Sequence, residues 1–142
     1  MNHQTVVHRL MSLYAGTLAV FLVIYGLCQA GESVSKKSCK DHPQLSGPCF
    51  KLRGRLSFYN GNPSLRIWPV GTTRLLGISE GRYAHPDVDN IPPEVRARLG
   101  SLDDELFADF TVCPFENDQP GVMRLICVET ATNIILRQRR EQ

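Results

Sequence analysis

Phe50-Lys51-Leu52-Arg53-Gly54-Arg55-Leu56-Ser57-Phe58-Tyr59 decides the fold. Phe50, Leu52, Gly54, Leu56 and Phe58 fall on one phase, and Lys51, Arg53, Arg55, Ser57 and Tyr59 on the other. Side chains of an extended chain alternate between two sides, so this pattern is a strand with one face in a core and one toward water. Asn60-Gly61-Asn62-Pro63 supplies turn residues, and Leu65-Arg66-Ile67-Trp68 returns as a second strand. Gly71-Thr72 turns the chain again, into a third strand at 74–78. The expected core of this part is Phe50, Leu52, Leu56, Phe58, Leu65, Ile67 and Leu75.

From Ser79 to Pro93, glycines, prolines and acids make an irregular crossover. Pro92-Pro93 then opens a short helix at 94–99, with Gly100 just past its end, where a cap belongs. Residues 106–112 read as a fourth strand and 122–130 as a fifth, resuming at 134–136. The expected fold is mainly β: a small five-stranded OB-like barrel with one short helix between strands three and four, since that element order is the OB order. A small α+β sandwich with the same order is the rival.

Outside this domain, at 49–136, the chain carries three other segments. An apolar run from Leu10 to Leu27, preceded by Arg9 and closed by Cys28-Gln29-Ala30, has the layout of a secretory signal. Residues 1–30 are expected to be a signal peptide cut before Gly31, or an uncleaved membrane anchor, for which the length just suffices. Lys36, Lys37 and Lys40 follow the run and oppose the usual excess of positive charge on the cytoplasmic side. Residues 31–48 form a polar lead and 137–142 a basic tail. The expected location is periplasmic or secreted, with anchoring in the inner membrane as the alternative.

Export bears on the cysteines. Cys39, Cys49, Cys113 and Cys127 make an even set in an oxidising compartment, which predicts two disulfides with three possible connectivities. Cys113 and Cys127 flank the turn at Pro120-Gly121, so folding there brings them face to face; the expected bridges are Cys113–Cys127 and Cys39–Cys49. Zinc on Cys39, His42 and Cys49 lacks a close-set ligand pair, and no metal or cofactor is expected. With 16 Lys+Arg against 14 Asp+Glu, no global field points to nucleic acid.

Arg53-Gly54-Arg55-Leu56, Tyr59-Asn60-Gly61, Arg66-Ile67-Trp68, Val70-Gly71-Thr72, Cys113-Pro114-Phe115 and Pro120-Gly121-Val122-Met123 resemble a family of small exported bacterial proteins with no assigned function. The resemblance runs from about Cys49 to Leu136. It implies export and one compact unit, and brings no catalytic residues with it.

Gly77-Ile78-Ser79-Glu80-Gly81 has the spacing of a hydrolase nucleophile elbow, but the helix and the later acid and histidine of that motif are missing. Asp87-Val88-Asp89-Asn90 starts like a calcium loop, with Pro92 and Arg98 where glycine and glutamate are required. Asp103-Asp104-Glu105 reads as a solvated turn or helix start. No catalytic constellation is complete, and an enzyme is not expected. The better candidate is the polar side of the first hairpin: the register sets Arg55 opposite Trp68 and Ser57 opposite Arg66, with Arg53 a step further and Arg74 beside them. Planar donors around an indole suit an anionic or saccharide-like ligand, although arginine stems can equally well only cover the indole. The chain thus reads as an exported binding or interaction module. The alternative is a membrane-anchored structural or assembly factor of the bacterial cell envelope.

Overall fold

The computed structural model describes residues 36–139. The signal or anchor expected at 1–30 lies outside the described residues, as do the first part of the lead and the last three residues of the tail. No helix among the described residues is long and apolar enough to cross a membrane.

The described chain is mainly β, with strands β1 (Phe50–Phe58), β2 (Leu65–Pro69), β3 (Leu76–Ile78), β4 (Asp104–Pro114) and β5 (Arg124–Gln138), and one helical turn, α1 (Pro93–Arg96), between β3 and β4. All five strands belong to one sheet. β1 lies antiparallel to β2 and to β4, β2 to β3, and β4 to β5, while β3 runs parallel to β5. The pairs close a ring in the order β1-β2-β3-β5-β4 and back to β1. A parallel neighbour cannot be reached by a tight turn, which gives the long crossover and α1 their place.

Alternation decides what the ring encloses. Leu56, Leu65, Ile67, Leu106, Phe110, Val112, Ile126 and Val128 are at most 1% exposed, and burying each such side chain contributes roughly 1.5–3 kcal/mol. Phe50, Leu52 and Phe58 pack half-buried against them. Gly54 marks where β1 changes duty: pairing with β2 begins at Gly54↔Pro69, while β4 continues alongside. A Cβ there would stand 2.6 Å from Ile67 Cγ2 and 2.9 Å from Leu52 Cδ1, closer than the packed interior allows.

Several expectations need correction. Leu75 is half-buried and precedes β3, whose buried residues begin at Leu76; the strand starts two residues later than the expected 74, because the turn after β2 is longer. The helix stops at Arg96, because Arg98 N and Leu99 N bond to the carbonyls of Val95 and Arg96, a tightening three-residue step. β5 is continuous through Ala131-Thr132-Asn133, where Asn133 at φ 52 accompanies a shift of register against β4; the bulge explains the polar break in the pattern. Arg137 and Gln138, read as tail, are the end of that strand.

The disulfide connectivity also differs. Cys113 and Cys127 are direct register partners, yet the bridges are Cys39–Cys127 and Cys49–Cys113. The lead is the cause. It forms a 3-10 turn at Cys39–Asp41, and Glu129 of β5 accepts hydrogen bonds from the Ser38 hydroxyl and from Lys40 N. Lys37 N bonds to Asp87 O at 2.6 Å. Held in this way, the lead delivers Cys39 to Cys127 of β5, and Cys49, one residue before the Phe50↔Val112 pair, continues the β1–β4 register to Cys113. The sequence separations bridged are 88 and 64 residues, and loops of that size favour the folded state by roughly 4–5 kcal/mol each in the chain-entropy model. Two disulfides are compatible with a periplasmic or extracellular location.

Candidate functional site

The register on the hairpin is the one expected, Arg55↔Trp68 and Ser57↔Arg66. Cross-strand partners share a face, and β4 extends the two rows: Arg55 also faces Phe107, and Ser57 also faces Glu105. On β5, Ile135 follows Phe107 and Arg137 follows Glu105. The outer face of β2, β1, β4 and β5 therefore carries one row of Trp68, Arg55, Phe107 and Ile135, and a second of Arg66, Ser57, Glu105 and Arg137.

Three arginine–aromatic pairs lie on this face. The Arg55 guanidinium stands 5.2 Å from the Trp68 ring centre, Arg66 is 5.2 Å from Tyr59, and Arg137 is 5.3 Å from Phe107. The geometry is that of a cation held against a π face. Side-chain polar groups are also tied down. Trp68 Nε1 donates to Thr72 O at 2.7 Å, and Arg55 donates to the Tyr59 hydroxyl at 3.3 Å. Arg66 donates to the carbonyls of Pro63 and Asn60 at 2.9 and 3.0 Å, so the turn holds it over Tyr59.

Acids from β4 pair with some of the cations, though not with Arg66, whose partners are backbone carbonyls. Arg55 pairs with Glu105 at 3.0 Å, and Arg139 reaches the same carboxylate at 3.4 Å. Arg53 pairs with Asp109 at 3.1 Å. Hydrogen bonds from Asn133 and from Arg53 hold the Asp109 carboxyl below the usual carboxylate range. Ser57, on the water-facing phase of the sequence, is completely buried between these long neighbours. Arg74 is held elsewhere: it pairs with Asp118 and donates to Gln119 O at 3.2 Å, on the β4–β5 loop. Four of the five expected residues thus share the face, and Arg74 is turned toward that loop.

Phe107, Asp109 and Arg137 were not expected on this face, and Glu105, expected in a solvated turn or helix start, is instead a β4 residue paired with Arg55. The signal was present: in Asp104–Pro114 the inward residues are Leu106, Ala108, Phe110 and Val112, which leaves Phe107 as an aromatic on the polar phase. A shallow hollow of about 490 Å³ is lined by Glu105, Phe107, Arg137 and Gln138.

The other motifs resolve into structure. Ser79 is buried, and its hydroxyl accepts a hydrogen bond from Tyr83 N at 3.2 Å; turns and bends, not a helix, follow it. Asp89 pairs with Lys36 at 2.6 Å, and Asp87 gives its carbonyl to Lys37, so the acids of that loop fasten the lead. Asp104 accepts from Gly100 N and Ser101 N at 2.7 and 2.8 Å, closing the turn before β4. His42 is buried, its ring 4.8 Å from Phe115. It accepts Gln44 N on Nδ1 and lies 3.1 Å from Tyr83 O through Nε2, which places its proton on Nε2. Burial holds this imidazole below the ordinary histidine range. Cys39 and Cys49, its would-be partners in zinc binding, are spent in disulfides, whereas zinc takes thiolates.

Compared with protein-family models, curated proteins and solved structures, the chain matches none.

Proposed function

We propose that this protein is an exported, non-enzymatic binding module, one of the small exported bacterial proteins its motifs resemble, and that it recognises a saccharide-like ligand on the outer face of β1, β2 and β4. The ring of strand pairs, the parallel β3–β5 contact and the helical turn between β3 and β4 support an OB-like barrel, a fold that commonly binds oligosaccharides or oligonucleotides across strands two and three.

The observation that carries the reading is the set of stacked pairs Arg55–Trp68, Arg66–Tyr59 and Arg137–Phe107, interleaved with Glu105 and Asp109. Because Asp109 and Glu105 pair with Arg53 and Arg55, an anionic ligand would have to displace a carboxylate before gaining an ion pair with either of these arginines. A polyhydroxyl ligand meets no such cost. It can accept from guanidinium N–H groups and donate to the carboxylates, while its apolar C–H face packs against an aromatic ring.

Trp68 is the sole tryptophan, so its fluorescence reports this face. Titration with a panel of neutral, sulfated and phosphorylated oligosaccharides is expected to shift the emission for neutral members. Trp68→Ala, probed with immobilised glycan, should abolish retention while the far-UV dichroism is kept. A panel without a binder, together with destabilisation as the only effect of Arg55→Ser with Arg66→Ser, would reduce the face to covering for the sheet.

A further inference from the structure

The four half-cystines form two bridges but nearly one cluster. The sulfurs of Cys39, Cys113 and Cys127 all lie within 4.8 Å of one another, although Cys113 is bridged to Cys49 and not to either of the other two. Cys113 and Cys127 also face each other directly across β4 and β5. Antiparallel partners have Cα separations of about 4.5–5.5 Å, within the range a disulfide spans. Exposure breaks the symmetry: Cys39, Cys113 and Cys127 are at most 3% exposed, whereas Cys49 is only half-buried.

We propose that the two bridges form an exchange relay: a two-electron reduction entering at Cys49 is passed inward, leaving a new cross-strand bridge Cys113–Cys127 and freeing Cys39 of the lead and Cys49 at the head of β1. The reductant is a dithiol, either a small molecule or the paired cysteines of a thiol oxidoreductase. Its thiolate attacks Cys49 Sγ, the Cys49–Cys113 bond breaks, and Cys113 departs as a thiolate. That thiolate attacks neighbouring Cys127 Sγ; Cys113–Cys127 forms, Cys127–Cys39 breaks, and Cys39 leaves and takes a proton. The second thiolate of the reductant then attacks the reductant's own sulfur in the mixed disulfide, closing the oxidised reductant and releasing Cys49, which is protonated. The dithiol loses two electrons and two protons, and the protein ends with one bridge and two thiols. Each step is ordinary thiolate attack on a disulfide.

The outcome is a redox-sensitive release. Before exchange, residues 39 and 49 are both covalently tied to the sheet. Afterwards β4 and β5 are stapled to each other, and the lead is held against them by noncovalent contacts, among them the bonds of Ser38 and Lys40 to Glu129, of Lys37 to Asp87 and of Ser46 to Pro114. The sheet stays cross-linked while its N-terminal connection loosens.

The test is partial reduction of the full chain carrying Cys28→Ser, so that residue 28 supplies no competing thiol. The protein is treated with limiting dithiothreitol at neutral pH, quenched in acid, alkylated with N-ethylmaleimide and mapped by mass spectrometry. The expected one-bridge species carries label on Cys39 and Cys49 and contains a Cys113–Cys127 peptide. A one-bridge species labelled on Cys49 and Cys113, or on Cys39 and Cys127, overturns the relay, as does loss of both bridges with no one-bridge species. A second arm uses Cys39→Ala with Cys49→Ala: air oxidation of the folded variant should yield Cys113–Cys127, and two persistent free thiols there would contradict the proposed geometry.

Discussion

The outer hairpin face and the end of the sheet that receives the lead are built from opposite kinds of contact. On the face, contacts are half-exposed and come from adjoining strands, and an arginine–aromatic pair of this kind contributes about 0.5–1 kcal/mol. At the stapled end they are buried and span most of the chain, with disulfides bridging separations of 88 and 64 residues and with His42, Tyr83 and Phe115 packed ring to ring. The difference separates stability from chemistry. On the proposed reading, the stapled end and the core hold the fold and leave the planar donors and rings of the face for a ligand.

That contrast can be broken most sharply in the core. Phe110 is 1% exposed, and Phe110→Ala should cost roughly 3–5 kcal/mol in urea unfolding, against no more than about 1 kcal/mol for Arg55→Ser if its pair is surface chemistry. Equal losses would erase the division of labour. Replacing Cys39 and Cys127 together by Ala should cost roughly 2–5 kcal/mol; a smaller loss would mean that the noncovalent ties of Glu129 already suffice to seat the lead.

Acid sharpens the comparison with a smaller effect. The folded His42 imidazole is held below its ordinary 6.5 by burial, so the unfolded chain takes up this proton first as pH falls. Its contribution is therefore intact above that value and is lost progressively below it, until the native ring also protonates. The hydrogen-bonded carboxylates of Asp109 and Asp104 are lowered instead. Their contributions disappear further down, as pH falls below the ordinary aspartate value of 3.8. Unfolding midpoints measured from about pH 7 to about pH 5.5 isolate the histidine: the wild-type midpoint should decline across that window, and His42→Gln should flatten the decline. A slope that survives the substitution would assign it to other groups.

The smallest expected effect lies on the face. A double-mutant cycle between Arg55 and Trp68 should return a coupling of about 0.5–1 kcal/mol. A coupling several times larger would make the pair structural and weaken the case for a ligand.

These two regions also differ in how readable they were. The hairpin was legible because pleat and turn are local: alternation from Phe50 to Tyr59 and a turn at Asn60–Pro63 suffice to oppose Arg55 and Trp68. Phe107 was legible in principle, being out of phase with Leu106, Ala108 and Phe110, but its partner Arg137 lies beyond the bulge at Asn133, where the pattern breaks without showing how far the register shifts. The bridges were not legible. Cys113 and Cys127 do face each other, and nothing local says that Ser38 and Lys40 will find Glu129 and bring Cys39 between them. Arg74 was misplaced for a related reason: its partner Asp118 comes from a loop whose position depends on how the ring closes.

The central claim is that the face binds through stacking and hydrogen bonding rather than net charge. Its most direct test is the Kd of a neutral oligosaccharide identified in the fluorescence panel, and of its sulfated form, each measured by titration calorimetry at low and high salt. The neutral ligand should bind more tightly, with a Kd that changes by less than about threefold between roughly 0.05 and 0.5 M salt. A preference for the sulfated form that collapses by about tenfold or more over the same range would contradict the account and make the face an anion site.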